Sequence, residues 1–222
     1  MAYSLNFDWL GQAAEPIARG AVATVGLIAV TAALGTVCSV LGAAAIRSRS
    51  AWLRGAVGSY VELIRNTPFL AQLFFIFFGL PSLGLRLDPA AAAILAMTIN
   101  LSAYGTEIVA AGLDAVPKGQ REAGHALGLR PMLVFVKIVL PQALKVIFPA
   151  LQGQIIIMML ESAAVSQISV RELTYEADML QARSFRAFET YFIVTMIYLA
   201  LSIGLRRVLG FSGRKYLIGG AP

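Results

Sequence analysis

Apolar residues fill long blocks of this chain, and short polar stretches separate them. A helix needs about 20 mostly apolar residues to cross the hydrocarbon core of a bilayer. Five segments reach that length: about 17–46, 57–80, 90–112, 144–168 and 188–209. The pattern predicts an all-α integral membrane protein with five transmembrane helices. Arg65, Asn66, Thr67 and Pro68 interrupt the second. The first has no basic leader, is too long for a cleavable signal peptide and is followed by further spans. No repeat of 20–50 residues, low-complexity tract or second domain is visible, so residues 1–222 read as one domain.

Between the third and fourth spans lies a polar insert, 116–141, whose punctuation is helical. Pro117 suits a first helical turn, where its missing N–H costs nothing, and Gly128 suits the position just past a helix end, where a left-handed backbone is needed. Ala123, Ala126 and Leu127 share one face at i, i+3, i+4, with small residues that allow close approach. Arg121, Glu122 and His125 project elsewhere. Leu140-Pro141 is expected to stop a second short helix before the fourth span. Physically, such an insert either lies on the headgroups or is gripped by another protein.

Charge orients the chain. It is 58% hydrophobic and only 14% charged, with a formal net charge of +6, against about 25% charged in soluble domains. In a soluble protein that excess could indicate nucleic acid, but here the cations sit between apolar runs. Arg47, Arg49 and Arg54, then Lys118, Arg121, Arg130, Lys137 and Lys145, then Arg206, Arg207, Arg214 and Lys215 fall on one side. Arg19, Arg86, Arg171, Arg183 and Arg186 fall on the other, with Asp8, Glu15, Asp88, Glu172, Glu176 and Asp178. The positive-inside rule places the first set in the cytoplasm. The N-terminus is then outside, the C-terminus cytoplasmic, and the 116–141 insert cytoplasmic. The single Cys38 allows no internal disulfide, and with His125 the only histidine, no metal site is expected.

Glu122-Ala123-Gly124, then Gly128, then Ile138 and Leu140-Pro141, resembles the EAA loop of ABC importer permeases, with Gly124 where Ala is usual. The flanks narrow the resemblance to the polar-amino-acid branch: Tyr60, Glu62, Arg65-Asn66-Thr67-Pro68, Gln72, Phe78-Gly79-Leu80-Pro81, Asn100, Tyr104, Glu107-Ile108, Val116-Pro117, Pro141-Gln142-Ala143-Leu144 and Ile168 with Glu172-Leu173. It spans about residues 20–210. The resemblance implies that two permease subunits, identical or related, form an alternating-access pore in the bacterial inner membrane. It implies that Glu122, Ala123, Gly124, Ala126, Leu127 and Gly128 belong to a coupling helix docked on a cytoplasmic ATP-binding subunit, and that an extracytoplasmic solute-binding protein delivers the amino acid. The chain has no Gly-x-x-x-x-Gly-Lys-Ser/Thr phosphate loop. No cofactor is therefore expected in it: ATP and Mg belong to the partner, and this chain is no enzyme.

Polar residues inside spans are costly and therefore functional candidates. Asn100, Tyr104 and Glu107 share a helix face at i, i+4, i+7, with Met97 one turn earlier. They form either a substrate-facing stripe or an interhelical hydrogen-bond seam. Pro68 removes a backbone donor, and broken helices in transporters contact substrate. Asn66, Thr67 and Pro68 are thus substrate candidates or a self-satisfied kink. Glu62 and Arg65 are expected to form a local ion pair. At Glu161-Ser162 the family often carries Lys-Asp-Thr/Ser, so a cation is missing and an acid remains. Glu107 and Glu161 together suggest a cationic amino acid or basic opine, unless Arg65 pairs with one of them. A neutral or acidic amino acid of the glutamine/glutamate type is the alternative. The mixed-charge outer loop, 169–186, is either a contact for the solute-binding protein or a solvated face. A stand-alone secondary transporter or channel would leave the EAA spacing unexplained, and a membrane enzyme would need a catalytic cluster that one histidine does not supply.

Overall fold

The computed structural model describes residues 10–213. Asp8, Arg214 and Lys215, used above for orientation, lie outside the described residues. The elements are α1 (Leu10–Ile46), α2 (Ala51–Arg65), α3 (Phe69–Phe74), α4 (Pro89–Asp114), α5 (Lys118–Ala126), α6 (Pro131–Val134), α7 (Leu140–Glu161), α8 (Leu173–Ser184) and α9 (Ala187–Ser212). A π-turn, Phe75–Gly79, and a 3-10 turn, Leu80–Leu83, extend α3. A second π-turn, Phe135–Val139, joins α6 to α7, and a 3-10 stretch, Ser162–Ile168, continues it. No strand occurs among the described residues.

Four helical stretches are long and apolar enough to cross a membrane: Ala13–Ile46, Pro89–Asp114, Pro131–Ile168 and Ala187–Ser212. The second expected span differs in form. Ala51–Arg65 and Phe69–Leu83 meet at 110°, because Pro68 takes an extended backbone (φ −64°, ψ 138°) and starts a new helix instead of prolonging the old one.

Pro141 departs from expectation in the opposite direction. It does not stop a helix: the path from Pro131 to Ile168 is one continuous helical stretch. The π-turn just before it widens the backbone where the ring would meet the carbonyl four residues back. The Gln142 side chain also donates to the Ile138 carbonyl at 2.7 Å. Pro81 follows the other π-turn in the same way, so Leu-Pro after a five-residue wide turn occurs twice.

In lipid, helices associate through close packing and interhelical hydrogen bonds. α1 and α4 meet on small residues: a Cβ on Gly105 would overlap Ser39. Ser39 Oγ is committed to the Gly35 carbonyl at 2.6 Å. α4 is the central element. Its first half packs with Leu27, Leu73, Met158 and Val165, and its second half with Ala43, Val116, Val139 and Ile147.

Candidate functional site

α4 carries most of the site. Glu107 forms an ion pair with Arg65 at the end of α2, and the Arg65 guanidinium lies 5.5 Å from the Tyr104 ring centroid. Glu62, Arg65, Asn66, Tyr104 and Glu107 line a cavity of about 490 Å³ between α2 and α4. Arg65 therefore pairs across helices with Glu107 and not with Glu62, its neighbour at i−3. Glu62 is exposed on the same wall. With Glu62 and Glu107 against Arg65, the lining carries one net negative charge.

The break beside this cavity is closed by a residue that sequence reasoning quoted only as part of a motif. Gln72 Nε2 donates to the carbonyls of Ile64 (2.8 Å) and Thr67 (3.0 Å) and to Thr67 Oγ1 (2.9 Å). These carbonyls lose helical partners where α2 ends, and unsatisfied backbone at membrane depth is tolerated only with such help. Thr67 Oγ1 and Asn66 Nδ2 bond back to Leu63 and Glu62. A polar residue four positions after Pro68, inside a Leu/Phe run, was the signal for this role.

The expected Met97–Asn100–Tyr104–Glu107 stripe therefore divides. Met97 is buried in the core. Asn100 is buried against Gln72, with its Oδ1 lacking a hydrogen-bond partner among the described residues. Tyr104 and Glu107 face the cavity.

Glu161 does not share that cavity. α4 and α7 run antiparallel: a Cβ on Gly112 would meet Ile147 and one on Gly105 would meet Leu151. At about 1.5 Å per residue, this register sets Glu161 roughly 14–18 Å from Glu107 along the helix axes. The two acids expected to act together are separate. Ser162 is fully buried and its hydroxyl donates to the Met159 carbonyl at 2.6 Å, so neither it nor Glu161 lines the site.

In the 116–141 insert, α5 begins after Pro117, which sits at the cap position, one residue before the first turn expected for it. Gly128 ends the helix at φ +73°. Its N–H reaches the His125 carbonyl and the Leu129 N–H reaches the Gly124 carbonyl, a Schellman closure. Gly124 is buried: a Cβ there would lie 2.9 Å from Val134 and 3.0 Å from Ile138, which explains glycine at this position. Ala123, Ala126 and Leu127 are exposed, Leu127 at 78%. Arg121 donates to the Leu113 carbonyl at 2.8 Å, fastening α5 to the last turn of α4. Arg47 approaches the same end through Asp114 (2.8 Å) and the Ala110 carbonyl.

Residues 35–217 match the family described as "Binding-protein-dependent transport system inner membrane component". The chain belongs to this family of ABC transporter permeases. It is 34% identical over 205 residues to the probable glutamine ABC transporter permease protein GlnM of Bacillus subtilis (strain 168), covering 92% of this chain and 93% of that one. It is 35% identical over 182 residues to the L-cystine transport system permease protein TcyB of the same organism, covering 82% and 78%. The solved structure of an amino acid ABC transporter with histidines superposes with a TM-score of 0.89 at 33% identity, covering 96% of this chain and all of that one. The permease family is an inner-membrane component, and ATP hydrolysis in its transporters is carried by separate ATPase subunits. Among the described residues no group of three or more His, Cys, Asp or Glu could hold a metal ion.

Proposed function

We propose that this single-domain permease forms half of an alternating-access pore that imports polar, cationic amino acids or basic opines across the bacterial inner membrane. One observation carries the substrate class: two carboxylates, Glu62 and Glu107, line the same cavity as a single cation, Arg65. A net negative lining attracts a cationic side chain. Arg65 addresses the carboxylate that every amino acid carries, and Glu62 and Glu107 address a cationic side chain. Tyr104 and Asn66 lie within reach, while Thr67, Pro68 and Asn100 belong to the helix break beside the cavity.

The N-terminus is outside and α5 faces the cytoplasm. There the exposed Ala123–Ala126–Leu127 face docks on an ATP-binding subunit that holds ATP and Mg. The pore is completed by a second permease subunit, identical or homologous, and substrate arrives from an extracytoplasmic solute-binding protein. A neutral amino acid is the second reading, favoured by the names of relatives for glutamine and cystine and by the neutralised Arg65–Glu107 pair.

The test is competition of unlabelled arginine, glutamine and glutamate against labelled arginine uptake by the reconstituted complex. Arginine should compete best. Preference for glutamate, unchanged in Glu107→Gln, would overturn the cationic reading.

A further inference from the structure

The extracytoplasmic side of a membrane protein is normally poor in arginine. Three arginines nevertheless converge there: Arg19 of α1, Arg171 just before α8 and Arg183 of α8 line one pocket of about 210 Å³. Arg171 and Arg183 have no hydrogen bond or ion pair among the described residues, and Arg19 has only a 3.9 Å contact with the exposed Glu15. Glu176 also lines the pocket, so the guanidiniums outnumber the carboxylates on its wall three to one. Met179 and Leu180 complete an apolar side.

Depth identifies what such a pocket meets. Arg47 marks the inner end of α1. Arg19 lies 27 residues before Ile46 on the same helix, which is about 40 Å at 1.5 Å per residue. A bilayer with its headgroups is about 40–45 Å thick. Arg19 is thus level with the outer headgroups. Aromatic side chains project from the nearby start of α9. Phe185 is 85% exposed and Phe188 61% exposed, and Phe188 stacks on Phe192 at 6.3 Å. Exposed aromatics at a span end mark the membrane interface.

We infer that this pocket binds the phosphate of an anionic phospholipid in the outer leaflet. Planar guanidiniums grip phosphate oxygens through paired N–H donors, and Met179 and Leu180 offer an apolar wall beside them. The inference rests on the orientation proposed above.

The complete transporter, reconstituted in nanodiscs of mixed phosphatidylglycerol and phosphatidylcholine, should be examined by native mass spectrometry for retained lipid. Phosphatidylglycerol should be preferred, and Arg171→Gln and Arg183→Gln should each lower that preference about fivefold. Glu176→Gln should raise it, a change that misfolding would not produce. Unchanged preference in all three variants overturns the proposal. So does retention of inorganic phosphate without lipid preference. If the arginine variants lose only stimulation by the solute-binding protein, the pocket is a protein contact and the proposal fails. Arg171→Cys, in a Cys38→Ser background, should react with impermeant maleimide from outside. Labelling from the cytoplasmic side alone would overturn the orientation and, with it, the assignment to the outer leaflet.

Discussion

Asn100 Nδ2 donates to Gln72 Oε1 at 3.0 Å, so a residue 28 positions away holds the side chain that closes the break between α2 and α3. Replacing Gln72 by Met leaves the Ile64 and Thr67 carbonyls without that donor. Ile64 keeps the Thr67 N–H and Oγ1 as donors, so the loss is that of ordinary hydrogen bonds, about 0.5–1.5 kcal/mol each. The variant should lose thermal stability, and its uptake should show a raised KM because the α2 end that carries Arg65 shifts. Asn100→Leu should cost less when added to Gln72→Met than alone. Additive costs in that double-mutant cycle would show that the two side chains do not act as a unit.

Glu107→Gln should separate substrate recognition from stability. The Arg65–Glu107 pair is solvated, with side chains 38% and 50% exposed, and such pairs contribute about 0–1 kcal/mol to stability. Melting temperature should hardly move. Uptake of a cationic amino acid should weaken roughly fivefold, the effect of about 1 kcal/mol of lost attraction. Labelled uptake with arginine and with glutamine measures the difference. Equal losses for both substrates would remove the role assigned to charge.

The α5 end tests coupling. A β-branched residue at Gly128 must adopt φ +73°, which costs about 1–2 kcal/mol. Gly124→Val would in addition press on Val134 and Ile138. Both variants should hydrolyse ATP yet transport less per ATP than the parent. Simultaneous assay of phosphate release and uptake in proteoliposomes reads this ratio, and an unchanged ratio would rule out α5 as the coupling element.

The loop 169–186 should respond to pH through Glu172. This fully buried residue caps α8 by accepting from the Tyr175 N–H at 2.9 Å. It also accepts from Tyr198 at 2.7 Å. Burial pushes its carboxyl above the ordinary value, outweighing these donors. A carboxyl whose folded pKa is raised binds more protons folded than unfolded, so stability falls as pH rises from the unfolded value through the folded one. The protection of α8 amides against hydrogen exchange, taken relative to the intrinsic exchange rate at each pH, should therefore fall over that rise and level off above it. Glu172→Gln should flatten the dependence, and a parent protein without one would contradict the buried-acid reading.

The apolar blocks announced the long helices, because span length and composition are local properties. Pro117 and Gly128 likewise bounded α5 to within a residue, since caps are local chemistry. What the chain did not disclose is tertiary. Pro68 signals a break but not a 110° turn. Pro141 looks like a stop, yet a wide turn upstream absorbs it. Arg65 has a plausible partner three residues away in Glu62 but takes Glu107, which only the packing of α2 on α4 brings near. Glu107 and Glu161 look equivalent as intramembrane acids until helix register separates them.

α4 touches the broken helix through Asn100, the cavity through Glu107 and α5 through the Leu113 carbonyl held by Arg121. These points lie on one uninterrupted helix, about 20 Å from end to end at 1.5 Å per residue. Mechanically that is a lever. A tilt of about 10° imposed at the α5 end would move the Asn100 end by roughly 3–4 Å over that length, about the width of the contact that holds Gln72. A rigid arm thus joins α5 to the point where the chain turns.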